Sequence, residues 1–270
     1  MKRKIAFLII AVIAISGFTE TTSKKVVLDL GTLNFLLPEY LNGKVKVVKE
    51  TPFEVNIENG EFTKGIRATS KVLADLNFAS DFNAYFYDFG LVSKFEYLND
   101  GKVASYWVSE TSKGQYSGTK YFKNDTLLSY GQFRYNDKGC LEETSSFYSK
   151  TDSILGRYSF KNDNNCNYIE YRFFNQKGIS LNRHEIIRDI SGRVVERNVY
   201  NAKDSLVFKK VSAYNEKGFC ILEDVKSIKY GDAKYTYKYL TYDNYENWLT
   251  VIVLKNDKPV LFVERTYEYY

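Results

Sequence analysis

The chain is poor in the residues that most often carry catalysis or build helices. Its 270 residues include one histidine, three cysteines, three prolines and one methionine. With His184 alone there is no pair of imidazoles for a zinc site, and no Cys-x-x-Cys or Cys/His cluster surrounds Cys140, Cys166 and Cys220. No Gly-x-Ser-x-Gly elbow, His-Glu-x-x-His pair or phosphate-cradling glycine loop occurs. The sequence therefore reads as a non-enzyme, with no catalytic residue, cofactor or metal. Long apolar runs are missing as well. The longest, Ile5 to Ile15, falls short of the roughly 20 residues a membrane-spanning helix needs.

That short run fits an export signal. Lys2, Arg3 and Lys4 precede it, and the small residues Ala14, Ser16 and Gly17 lie where a peptidase cuts, so residues 1–23 are expected to be a signal peptide. A lipid anchor requires a cysteine at the cleavage site, and the first cysteine is Cys140. The expectation is an exported protein that is not a lipoprotein: periplasmic, surface-associated or secreted, with no transmembrane span in the mature chain. Removing Lys2, Arg3 and Lys4 takes the formal charge from +5 to +2. The remaining Lys and Arg are interleaved with Asp and Glu, which describes a solvated face and excludes nucleic acid as a partner.

What the chain has in quantity is tyrosine, 24 residues of it, within an aromatic content of 17% that favours sheet. From about residue 83 a turn signal recurs roughly every 13 residues, leaving about nine for each strand, or some 30 Å of extended chain. Strong turns fall near Gly90, Gly114, Gly139, Asn165, Gly192, Gly218 and Asn247, with weaker ones such as Asp152, Asp204 and Asp257 between them. Gly90, Gly139, Gly192 and Gly218 are expected to hold the left-handed backbone of the turns. Loops this short connect antiparallel neighbours. The fold expected is all-β: an extended antiparallel meander over residues 83–270, built from hairpin repeats of about 26 residues, in a sheet that stays open or curls on itself.

Residues 24–82 do not show the beat and are expected to form a small N-terminal cap over an otherwise bare sheet edge. Val26 to Leu30 and Lys44 to Lys49 read as strands, Asn56 to Gly60 as a turn, and Leu33 to Leu41 and Ser70 to Leu76 as short helices.

Aligned on the strong turns, the unit is Tyr-(Asn/Asp)-x-x-Gly, two apolar positions and an acidic residue. Copies include Tyr135-Asn136-Asp137-Lys138-Gly139 and Tyr214-Asn215-Glu216-Lys217-Gly218, and the acidic members are Glu143, Glu170, Glu196 and Glu223. This unit resembles the YD-repeat, or RHS-repeat, proteins of bacterial surfaces. Tyr87-Asp88-Phe89-Gly90 is the best match and Tyr242-Asp243 keeps the opening pair, whereas Arg188-Asp189 loses the tyrosine. The resemblance implies extended antiparallel sheet. It does not carry over the toxin-enclosing role of large members, because the chain is too short and has no toxin-like segment after its last repeat.

Residues that recur once per repeat make a ladder rather than a reacting centre, so the four glutamates are expected to be structural or solvated. The three cysteines follow turns at related positions: small buried hydrophobes, or one disulfide with a free thiol. Tyr237, Tyr239, Tyr242, Tyr245 and Trp248 crowd the last repeat and form the candidate binding patch, with cross-strand packing as its plainer alternative. The functional expectation is a binding or scaffolding module at the cell envelope, with a protein or polysaccharide partner. The alternative is a polysaccharide-binding, carbohydrate-active protein.

Overall fold

The computed structural model describes residues 41–76 and 81–270. The expected signal peptide, the strand at Val26 to Leu30 and all but the last residue of the helix at Leu33 to Leu41 lie outside them. The chain runs through β1 (Val45–Glu58), β2 (Glu61–Arg67), α1 (Ser70–Asp75), β3 (Phe82–Phe86), β4 (Val92–Asn99) and β5 (Lys102–Ser112). There follow β6 (Gln115–Lys123), β7 (Thr126–Tyr135), β8 (Leu141–Tyr148), β9 (Ile154–Asn162), β10 (Tyr168–Asn175) and β11 (Ser180–Arg188). The last six are β12 (Val194–Asn201), β13 (Leu206–Tyr214), β14 (Cys220–Ser227), β15 (Ala233–Tyr242), β16 (Trp248–Lys255) and β17 (Lys258–Tyr269).

The turn chemistry explains the beat. At Asn136 the side-chain Oδ1 accepts from the backbone N–H of Lys138 and of Cys140, and Gly139 N–H donates to the Asn136 carbonyl. Asp163, Asn175, Asp189, Asn201 and Asp243 cap their turns in the same way. Gly90, Gly139, Gly192 and Gly218 all have φ between 79° and 90°, the region that favours glycine. The turn at 87–91 differs. Tyr87, not Asp88, exchanges backbone bonds with Leu91 and Gly90, so the copy that matches the Tyr-Asp signature best in letters is offset by one residue in geometry. The repeat tyrosine also has a defined task. Where the β12–β13 ladder stops at Glu196–Val211, Tyr214 Oη donates to the stranded Val194 carbonyl at 2.8 Å. Tyr135 does the same for Tyr116, and Asn162 takes that role toward Leu141.

Every neighbour from β3 to β17 is antiparallel, as expected, but the meander is not open-ended. β1 pairs with β17 from Val45 to Phe53 and with β3 from Val47 to Glu50, closing a 16-strand barrel from β1 and β3–β17. Residues 45–53 are thus a stave of the barrel rather than part of a cap. Closure removes the edges a cap would have shielded. Beyond Phe53, β1 and β2 form a hairpin folded over the outer wall, where Phe53, Val55 and Phe62 cover Ile252, Leu254 and Phe262. The expected helix near Ser70 is present as α1, capped by Thr69 Oγ1 accepting from Val72 N–H. Its Val72, Leu73 and following Leu76 pack against the interior face of the β15–β17 wall.

Strand alternation separates two surfaces. One row runs Tyr267, Val48, Ala84, Phe95, Trp107, Tyr121 and Ser129, each opposite the next. It faces inward. The complementary row of Glu143, Ser159, Arg172, Arg183 and Tyr200 faces outward. A single buried cluster joins Phe82, Phe95 and Trp107 to Leu155, Tyr158, Tyr171 and Phe173, although β3–β5 and β9–β11 share no ladder. Opposing walls therefore touch. A round 16-strand barrel would enclose a water channel, so this one is flattened into two packed layers.

Candidate functional site

Because hairpins repeat about every 13 residues, stepping by that interval lands on one inward side chain per strand. The series is Tyr158, Tyr171, His184, Arg197, Lys210 and Glu223, on β9 to β14, and Tyr237 continues it on β15. It begins aromatic and becomes charged. The Tyr171 and His184 rings stack with centroids 4.2 Å apart, and Tyr171 Oη lies 2.8 Å from His184 Nδ1. Arg197 Nη2 donates to both, at 3.0 Å each. Arg197 stands directly opposite Lys210 across β12–β13. Lys210 Nζ then reaches Glu223 Oε1 at 2.6 Å, and Tyr237 Oη donates to Glu223 Oε2 at 2.9 Å.

Burial and charge act together along this strip. His184 has no exposure, and burial beside the Arg197 cation holds its pKa well below the usual histidine value. Burial raises the Glu223 carboxyl, but the Lys210 cation and the Lys210 and Tyr237 hydrogen bonds outweigh it, so the net shift is downward. Tyr237 moves the other way, well above the usual phenol value, because it is buried against that carboxylate. Lys210 and Glu223 side chains keep 30% and 20% exposure, so water reaches this end of the strip and not the His184 end. A second inward pair lies on the closing strands: Arg265 donates to Glu50 at 2.7 Å and rests 3.9 Å from the Trp248 ring centroid.

The glutamate ladder splits. Glu143, Glu170 and Glu196 point outward and pair with Arg157, Arg172 and Lys209 at 3.3, 2.9 and 2.8 Å. Glu223 does not belong with them. It lies five residues past its turn glycine, Gly218, while Glu143 and Glu196 lie four past Gly139 and Gly192. One residue reverses the facing of a strand position, so Glu223 enters the interior.

The aromatic patch divides in the same way. Tyr237 and Tyr239 face inward, Tyr239 Oη donates to the Cys220 carbonyl at 2.8 Å, and Trp248 is buried under Arg265. Only Tyr242 and Tyr245 are exposed, near one rim, with Tyr245 4.4 Å from the Tyr269 ring. The five side chains do not make one surface. Outward rings elsewhere, Tyr106 with Phe122 and Tyr130 with Phe147, stack on each other at 4.9 and 5.2 Å.

Cys140 and Cys166 form a disulfide, with Cα atoms 4.9 Å apart, that staples two neighbouring turns on one rim. Cys220 is free, and burial pushes its thiol up to about 12, far from a reactive thiolate. This is the disulfide-plus-thiol arrangement, not three buried hydrophobes. Among the described residues no group of three or more His, Cys, Asp or Glu side chains is placed to hold a metal ion.

No protein-family model matches the chain, and no curated protein matches its sequence. Solved structures with some likeness include a porin-like protein from Bacteroides uniformis, 9% identical, TM-score 0.48, covering 85% of this chain and 100% of that one. A porin-like protein from Bacteroides vulgatus is 11% identical with TM-score 0.38, covering 84% and 100%. The Photorhabdus luminescens Tc holotoxin pore is 8% identical with TM-score 0.32, covering 78% of this chain and 14% of that one. These likenesses are loose, with identities of 8–11% and TM-scores under 0.5.

Proposed function

We propose that the chain is an exported, water-soluble β-barrel that serves as a binding module in the cell envelope, without catalytic activity. One observation carries this: the barrel's polarity is the reverse of a membrane channel's. A membrane barrel needs an apolar outer band about 25 Å tall, and each Arg or Lys on its lipid face costs about 2–4 kcal/mol at mid-depth. Here Lys94, Lys120, Arg157, Arg172 and Lys209 stand outward on strands around the wall, each paired with a carboxylate. The inner surface holds the aromatic core, and its charged side chains Arg197, Lys210, Glu223, Arg265 and Glu50 are bonded to one another or to buried rings. The disulfide supports an oxidising compartment, which agrees with the export signal in the sequence.

Within this reading the water-reached end of the inner strip, Lys210 with Glu223 and Tyr237, is where a ligand meets fixed charge of both signs. The test is a planar-bilayer and solubility assay on the mature chain. The expected result is a monodisperse protein without detergent and no conductance; steady conductance would overturn the proposal. Polysaccharide binding is the second reading, favoured by the exposed Tyr242 ring with Lys217 Nζ 4.6 Å from its centroid. The stacked outward rings speak against it, since they turn edges rather than faces to a sugar. A glycan array on the mature chain decides: binding that is lost in Tyr242→Ala supports the second reading, and a blank array removes it.

A further inference from the structure

His184 is locked into one tautomer by its neighbours. Arg197 has no acceptor, and its Nη2 and Nε lie 3.0 and 3.3 Å from Nδ1, so Nδ1 must offer its lone pair. Tyr171 Oη accepts from Arg197 and completes the set by donating to the same Nδ1. The imidazole proton therefore sits on Nε2, where it is wholly buried and meets no acceptor among the described residues. Asn182 lies two residues earlier on the same inward face, and its Oδ1 is buried with no donor among the described residues. Two residues of extended strand set their Cα atoms about 6.6 Å apart, and one oxygen with two hydrogen bonds of about 2.8 Å spans about 5.6 Å, so the two side chains share one oxygen when their tips lean together by about 1 Å.

We infer that His184 Nε2 and Asn182 Oδ1 form an internal site for a neutral hydroxyl group, either a single water or the hydroxyl of a small organic ligand. The pairing selects the chemistry. Nε2–H requires an acceptor and Asn182 Oδ1 requires a donor, and a hydroxyl is both. A carboxylate could not satisfy Asn182, and the neighbouring Arg197 repels a cation. A polar group left unmatched in such a place destabilises the fold, and an occupant with two partners removes that penalty. Phe173 stands directly across the strand pair from Asn182, and Ile186 lies two residues beyond His184 on the same face, both within the apolar core, so an organic occupant would carry one hydroxyl on an otherwise apolar body.

His184 is the only histidine in the chain, so nitrogen-15 histidine labelling of the full mature protein reports a single ring. The expected spectrum shows the Nε2–H tautomer, with that proton in slow exchange and cross-relaxing with a hydroxyl proton. Native mass spectrometry then separates the sources: the mass of the chain alone assigns a water, and a constant added mass assigns an organic ligand. An Nδ1–H tautomer, or an Nε2 proton with no hydroxyl proton in contact, would overturn the site. Neither measurement depends on a variant that folds.

Discussion

Lys210 Nζ lies 2.6 Å from Glu223 Oε1 on the inner surface of the barrel, while Lys209, its neighbour in sequence, pairs with Glu196 at 2.8 Å on the outer surface. Two adjacent lysines thus serve opposite faces of one strand. Removing one partner of a buried pair strands the other charge, at a cost of about 3–5 kcal/mol when burial is complete; with water reaching this pair, about 2 kcal/mol is expected for Glu223→Ala. Glu196→Ala should cost under about 1 kcal/mol, as an exposed pair does. Denaturant midpoints of the two variants check the difference, and equal losses would place both glutamates on one face.

His184 predicts an acid-sensitive stability. Its pKa in the folded chain is depressed by burial and by Arg197, so below the unfolded value of about 6.5 the unfolded chain takes up a proton that the folded chain refuses. Stability should therefore fall as pH drops from 7 to 5, by at most about 1.4 kcal/mol per pH unit from this group. His184→Gln should be less stable at pH 7 but flatter across that interval. Carboxylates with lowered values, such as Glu196 and Glu223, lose their contribution only at lower pH. An unchanged slope in the variant would show that His184 is not the source.

The turn glycines should be intolerant of branched side chains. Gly139 and Gly218 have φ of 79° and 85°. Valine there is expected to cost about 1–3 kcal/mol through backbone strain, and asparagine, which visits this region more readily, distinctly less. Thermal unfolding of the four variants tests this, and the contrast between valine and asparagine separates backbone strain from lost packing.

Reducing the Cys140–Cys166 bridge frees a link between residues 26 apart in sequence. A loop of that size predicts a loss of about 3 kcal/mol. The Cys140→Ser, Cys166→Ser double variant should match the reduced wild type in a denaturant titration, and a variant as stable as the oxidised protein would mean that the two turns are held by their ladders alone.

The parts of the fold visible in the sequence are those set within a few residues. Asn136, Asp189 and Asn215 with their following glycines announce turns because cap and left-handed residue are neighbours in the chain. Closure had no such signal: Val48 meets Tyr267 and Ala84 through ladders between distant segments, and nothing near Lys44 to Lys49 distinguishes a stave from a capping strand. The inward turn of Glu223 was legible, in the extra residue after Gly218, but spacing from one glutamate to the next conceals it. The strip from Tyr158 to Glu223 was also present as a 13-residue step, yet its members differ in chemistry and look unrelated until the walls are registered. Tyr237 and Tyr239 look like surface aromatics in a row of tyrosines, and only strand facing sends them inward.

The most direct test of the inverted polarity is thiol labelling in water. Single cysteines at outward Ser145 or Ser159 and at inward Ser146 or Val199 are treated with a membrane-impermeant maleimide, in detergent-free buffer and again after mixing with lipid vesicles. A water-soluble barrel predicts rapid labelling at 145 and 159 in both conditions, with 146 and 199 protected until the protein unfolds. Protection of 145 and 159 once vesicles are added, with 146 and 199 becoming reactive, would contradict it and make the barrel a membrane channel.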